Sequence, residues 1–211
     1  MSKHIHIPLE ENNYYHIYNR GNDGIDLFYQ NRNYHYFLIK YDYYLSGYVD
    51  TYAYCLLPNH FHLLIQMKMK KDFIVRKDEF PEQKDIDGMS AGEIVSELFR
   101  RFFMSFSKSI NIQQGRTGSL FQKNFRRKLV NNGSYFLVLI YYIHHQLQHH
   151  GFDHVDDKDY PWSSFQRFLL DKESKLKKKE VFDWFGGKAD FITFHSEKQD
   201  LKLISNLVIE E

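Results

Sequence analysis

Residues 49–67, VDTYAYCLLPNHFHLLIQM, form two apolar, β-rich runs on either side of Pro58-Asn59. The pattern reads as a β-hairpin. Side chains alternate faces along a strand, so His60 and His62 point one way while Phe61 and Leu63 point into the core. A single histidine on an apolar strand is more often a satisfied core residue than a ligand, but two on one face weaken that reading. A closed tetrahedral zinc site would need two further protein ligands, and the sole cysteine, Cys55, is not an obvious one. The pair therefore predicts a site with open positions for a hard divalent cation, Mg²⁺ or Mn²⁺. An amide or carboxylate, water and substrate phosphate would complete its coordination.

Outward from the hairpin, Tyr14 to Gly21 has the composition of a strand and ends at a turn. From Asn31 to Ser46, Tyr34, Phe37, Leu38, Tyr41 and Leu45 recur at helical spacing and Gly47 closes the pattern. Residues 68–89 are charged and predict a loop. Ser90-Ala91-Gly92-Glu93 matches a capping box, and Ile94, Val95, Leu98, Phe99, Phe102, Phe106 and Ile110 continue an amphipathic helix to about Asn111–Gly115. A strand-like piece follows in SLFQKNFRRKLV, then a helix from Ser134 to His150 closed by Gly151. Strand, helix, hairpin, helix, strand on one sheet predicts an α+β fold of the ferredoxin-like kind. The expected organisation is one main unit over 1–170 and a polar, partly helical tail over 171–211.

A chain of 211 residues with 18% aromatics supports one sizeable core. Its apolar runs fall far short of the ~20 residues that span a bilayer. The N-terminus lacks an apolar stretch of secretory length, and one cysteine cannot form an internal disulfide, so a cytoplasmic setting is expected. Net charge is only +1. Between Leu98 and Val130, however, Arg100, Arg101, Lys108, Arg116, Lys123, Arg126, Arg127 and Lys128 occur with no Asp or Glu. A charge run is usually a solvated face, but the interleaved Phe121 and Phe125 favour a nucleic-acid surface.

His60-Phe61-His62 resembles the HUH motif of single-strand DNA nucleases, and YAYCLLPNHFHLLIQ (52–66) is similar to the REP-associated tyrosine transposases. HIYNRG (16–21), GRTGSLFQKNFRRK (115–128), YIHH (142–145) and YPWSSF (160–165) resemble further landmarks of that family, in order. The resemblance implies metal-assisted attack by a helix-borne tyrosine on a DNA phosphodiester, giving a 5′-phosphotyrosine and a free 3′-hydroxyl. It implies single-stranded or hairpin DNA as partner and a monomer or homodimer. Arg20, Arg116, Lys123, Arg126, Arg127 and Lys128 are the implied DNA contacts. Counted back from GRTGSLF, the nucleophilic tyrosine falls at position 106, where this chain has phenylalanine. Phe106 also shares a helix face with Phe99, Phe102 and Ile110, the pattern of a residue that packs on the sheet. Three explanations stay open: cleavage lost with binding kept, a deliberate substitution, or a nucleophile relocated to Tyr135, Tyr141 or Tyr142. Asn111 is the implied third metal ligand, with Gln113 and Gln114 as alternatives. After YIHH this chain has Gln146-Leu147 in place of the family's Asn-Pro, and Phe165 replaces the tyrosine of WSSY.

Two histidine readings complete the set. His145 and His149, four apart on a helix, form a rival metal pair, although a solvated face is the expected reading. His16 is expected to hydrogen-bond near the strand pair. Two alternatives to the transposase remain, a DNA-hairpin binding module without activity and a small metal-dependent hydrolase using His60 and His62.

Overall fold

The computed structural model describes residues 7–76, 86, 88–131, 133–150 and 156–205. Four strands, β1 (Tyr14–Arg20), β2 (Val49–Leu57), β3 (His60–Met67) and β4 (Arg126–Val130), form one antiparallel sheet in the order β2-β3-β1-β4. Helices α1 (Asn31–Leu45) and α2 (Ala91–Gln113) connect them in the ferredoxin-like pattern. The predicted α+β class, strands, hairpin and both helices are therefore observed. The hairpin turn is pinned from outside, since Leu27 and Phe28 donate their backbone N–H groups to Pro58 O at 2.7 and 3.0 Å, and Gly21 N–H donates to Asn59 O at 2.7 Å. Gly21, last residue of HIYNRG, allows this close approach, because a Cβ there would sit 1.9 Å from Ile25 O.

Alternation divides the sheet into two chemically different faces. Tyr15 and Ile17 of β1 and Phe61, Leu63, Ile65 and Met67 of β3 face α1 and α2 in one core. Helix α2 is started by the predicted capping box, with Ser90 Oγ accepting from Glu93 N–H and Glu93 Oε2 accepting from Ser90 N–H at 2.8 Å. Its buried stripe, Ile94 to Ile110, lies on that apolar face, and Phe106 is fully buried between Phe28, Phe37 and Phe121.

The other face is covered by α3 (Gly133–His144), the short α4 (Gln146–His149), α5 (Ser164–Leu169), α6 (Lys178–Phe185) and α7 (Lys188–Ser196). The helix expected over 134–150 breaks at His145, and Gly151, its expected end, lies outside the described residues. The stretch expected as a polar tail contributes Val181, Phe191 and Ile204 to the second core. An extra residue, Tyr52, inserted between the paired Thr51 and Ala53, turns both Tyr52 and Ala53 toward that core. Tyr52 stacks on Trp184 at 4.9 Å and donates its hydroxyl to Glu180 at 2.6 Å. YPWSSF covers the outer edge of β2: Leu56 N–H donates to Trp162 O, and Tyr160 donates its hydroxyl to Leu56 O. Among the described residues no helix is long and apolar enough to cross a membrane.

A buried polar chain ties this second layer together. His195 Nδ1–H donates to Phe191 O at 2.8 Å, so its Nε2 accepts from His144 Nδ1–H at 2.9 Å; His144 Nε2 then accepts the Ser164 hydroxyl at 2.8 Å. Both imidazoles must be neutral for this polarity. Burial holds His144 well below the usual imidazole range, and His195 is pushed down to about 3. The unfolded chain therefore takes up protons first, and this stabilisation is lost as pH falls from the unfolded pKa of about 6.5 towards 3. Each histidine removes about 1.4 kcal/mol per pH unit once well inside that window. The urea midpoint is expected to fall steadily below about pH 6; a flat midpoint down to about pH 5 would show that the chain does not carry this stability.

Candidate metal and nucleophile site

The His60 face is assembled from five elements. Register places Tyr18 opposite His62 and Arg20 opposite His60, while Arg126 and Lys128 of β4 oppose Tyr18 and His16. Directly paired residues share a face, so His16, Tyr18, Arg20, His60, His62, Arg126 and Lys128 all lie on the side covered by α3 and α4. The Tyr142 ring of α3 meets His62 edge-on at 5.6 Å and His16 at 6.3 Å. His149 of α4 packs on Tyr142 at 5.2 Å, and His150 on His60 at 4.5 Å.

Hydrogen bonds orient the two strand imidazoles. Asn59 Nδ2 points to Gly24 O, so Asn59 Oδ1 accepts from His60 Nδ1–H at 2.7 Å, leaving the His60 Nε2 lone pair uncommitted. His62 Nδ1 lies 2.9 Å from His16 Nε2; with Nδ1–H as donor, the His62 Nε2 lone pair is uncommitted too. Both Nε2 atoms are buried without a hydrogen-bond partner. Gln146, fully buried, donates its amide N–H to Tyr142 O at 2.9 Å, and its Oε1 is likewise buried and unpartnered. Its side chain lies beside His60, whose basicity it raises.

Three orphaned lone-pair donors on one face are what a cation would satisfy, since leaving each buried and unpaired costs about 1–3 kcal/mol. The ring centres of His60 and His62 are 5.2 Å apart, a separation that two Nε2 atoms at about 2 Å from one ion permit. Burial, His150 and Arg20 push His60 down to about 3, and burial with neighbouring histidines holds His62 lower than usual, so both are neutral, as ligands must be. Among the described residues no three His, Cys, Asp or Glu side chains converge. The unpartnered buried atoms on this face are two imidazole nitrogens and one carboxamide oxygen.

The predicted third ligand and nucleophile position lie elsewhere. Asn111 donates to Gly118 O at 2.9 Å and accepts from Arg116 at 3.0 Å, so both residues fasten the loop after α2. Gln113 is spent on Asn33 of α1 at 2.8 Å, and Gln114 caps α2 in an exposed position. Phe106 is separated from the histidines by the sheet, because α2 presents a wholly apolar stripe and packs on the apolar face. Of the relocation candidates, Tyr142 meets His62 edge-on at 5.6 Å, while Tyr141 stacks on His145 at 3.9 Å. The rival pair fails because His145 directs Nδ1 to Tyr141 O and Nε2 to His195 O. The expected cations divide. Arg20, Arg126 and Lys128 are on the histidine face; Arg127 points to the α2 side, donating to Ser96 at 3.1 Å; Lys123 is exposed in the preceding loop. Arg126 sits beside the Tyr18 phenol, which burial raises and Arg126 pulls back. Sequence reasoning missed Gln146 as a candidate ligand, although it follows Tyr142 by four residues, the spacing at which its amide reaches Tyr142 O.

A Haemophilus influenzae protein carrying the provisional name REP-associated tyrosine transposase is 28% identical over 146 residues, 67% of this chain and 69% of that protein. The solved structure of a REP-associated tyrosine transposase bound to a REP hairpin matches with a TM-score of 0.55 at 19% identity, covering 80% of this chain and 86% of that one. This chain is similar to the REP-associated tyrosine transposases. Its architecture is the HUH transposase fold, and His60 and His62 lie on β3. No protein-family model matches the chain.

Proposed function

We propose that this protein is a transposase that binds hairpin or single-stranded DNA and cuts a strand through Tyr142. Three buried atoms without a partner, His60 Nε2, His62 Nε2 and Gln146 Oε1, on the face that Tyr142 covers carry the reading. These three atoms would hold a divalent cation, Mg²⁺ or Mn²⁺, which when bound supplies Lewis-acid stabilisation of charge on the phosphate oxygens. The residues do the rest. Tyr142 Oη attacks phosphorus; the P–O3′ bond breaks as the P–Oη bond forms, the phenolic proton passes to solvent, and the leaving 3′-oxygen takes a proton from solvent to become a hydroxyl. The phosphodiester energy is conserved in the 5′-phosphotyrosine, so a second 3′-hydroxyl can reverse the step without ATP. Arg20, Arg126 and Lys128 neutralise backbone phosphates around the cut. The case for a binding module without cleavage rested on Phe106, and it weakens once the nucleophile is placed on α3.

Binding is tested by titrating a labelled DNA hairpin at several salt concentrations. Affinity is expected to fall linearly in log–log form. Arg126→Gln and Lys128→Gln each lower the slope by about one, whereas Arg127→Gln leaves it unchanged. Absent binding at low salt, or a slope untouched by the first two substitutions, would overturn the reading.

A further inference from the structure

The two helices on the apolar side of the sheet each bury one stripe and turn another to solvent. On α1, Arg32, Tyr36, Ile39 and Tyr43 recur at spacings of four, three and four residues, opposite the stripe that packs on the sheet. On α2, Met104, Lys108 and Ile112 recur at intervals of four, again opposite the buried stripe. The helices touch along their length, since Tyr36 Oη lies 3.5 Å from Ser105 Oγ and Asn33 Nδ2 donates to Gln113 Oε1 at 2.8 Å. Three large apolar side chains stand in water on this outer surface, Ile39 at 63%, Met104 at 58% and Ile112 at 73% exposure. A group of this kind on one surface marks a docking face.

Charge says what would cover it. Arg32 and Lys108 are exposed on the outward stripes and form no ion pair among the described residues. The carboxylates within reach are already spent: Glu97, one turn before Arg101, holds Arg100 at 2.7 Å and Arg101 at 3.0 Å, and Asp42, the one acid of α1, holds Lys175 at 2.6 Å. The surface is therefore apolar and basic. A second copy of the same face would set like charges against each other. A nucleic acid would need open aromatic faces for its bases, but Lys40 lies over Tyr36 at 5.5 Å and Tyr43 at 5.4 Å, and Arg76 over Tyr43 at 4.2 Å. Exposed isoleucines have no use for a phosphate backbone. We propose that this surface docks an acidic segment of another protein, whose apolar side chains cover Ile39, Met104 and Ile112 while its carboxylates meet Arg32 and Lys108. Because α1 and α2 lie on the side of the sheet away from His60 and His62, that partner leaves the histidine face open.

Panning a library of random displayed peptides on the full chain tests the proposal. The enriched peptides are expected to combine Asp or Glu with large apolar residues, and a labelled synthetic peptide of such a sequence should bind more weakly as salt rises. Ile39→Ser and Ile112→Ser, altered only at exposed side chains, should each weaken that peptide about tenfold. The double variant Arg32→Gln, Lys108→Gln should weaken it and flatten the salt dependence. Ile39→Ser should leave affinity for a DNA hairpin unchanged. No enrichment, or selected peptides that bind both serine variants as well as the wild type, overturns the proposal. So does sedimentation showing self-association that Ile39→Ser abolishes, which would give the face to a second copy. Oligonucleotide binding lost in the Arg32→Gln, Lys108→Gln variant, with no acidic peptide selected, would give it to nucleic acid instead.

Discussion

Tyr142→Phe is expected to abolish the covalent protein–DNA adduct while leaving hairpin affinity intact. The substitution keeps the ring that packs against His62 and His16 and removes only the oxygen that would attack phosphorus. Water could enter instead, but without the positioning a helix-borne hydroxyl receives, so residual cleavage should be slower by at least about 10³-fold. The measurement is a denaturing gel of protein with labelled hairpin DNA and Mn²⁺. A shifted band from the wild type and none from Tyr142→Phe supports the assignment. A band surviving in the variant would move the nucleophile to another tyrosine, with Tyr18, stacked over His62 at 6.0 Å, the next to be substituted.

Phe106→Ala is expected to destabilise the fold by about 3–5 kcal/mol, because the ring fills the contact between α1, α2 and the loop before β4, and its loss leaves a cavity. Phe106→Tyr should create no cleavage activity. It would instead cost about 1–3 kcal/mol by burying a hydroxyl among Phe28, Phe37 and Phe121. Urea unfolding measures both, and the adduct gel run alongside separates stability from chemistry. Enhanced cleavage from Phe106→Tyr would show that α2, not α3, supplies the reacting group.

Much of this molecule is local in origin and could be read from the chain. Period-two alternation over 49–67 marked the hairpin and put His60 and His62 together, since pleating leaves no other arrangement for residues two apart. The 3.6-residue spacing from Ile94 to Ile110 and the Ser90–Glu93 box marked α2, because both the cap and the stripe are set within a few turns of one helix. The α+β class followed from the order of these elements.

Which helix covers which face was decided only in three dimensions. Alignment by neighbouring landmarks placed the nucleophile on α2, yet the same alternation that joins the histidines sends Phe61 and Leu63 the other way, and α2's apolar stripe must follow them. The histidine face is left to α3 and α4, where Tyr142 and Gln146 meet β3 across about 80 residues of chain. Gln146 looked like a departure from an asparagine, but in place it is a carboxamide whose oxygen finds no protein partner. The basic run looked uniform, yet the pleat of β4 sends Arg126 and Lys128 to one side and Arg127 to the other. Residues 171–205 looked polar because their apolar side chains are sparse, and only packing reveals Val181 and Phe191 as core, with Trp184 packed against it on Tyr52. Local periodicity fixes which side chains share a face of their own element; what that face meets depends on contacts far apart in the chain, which no local pattern encodes.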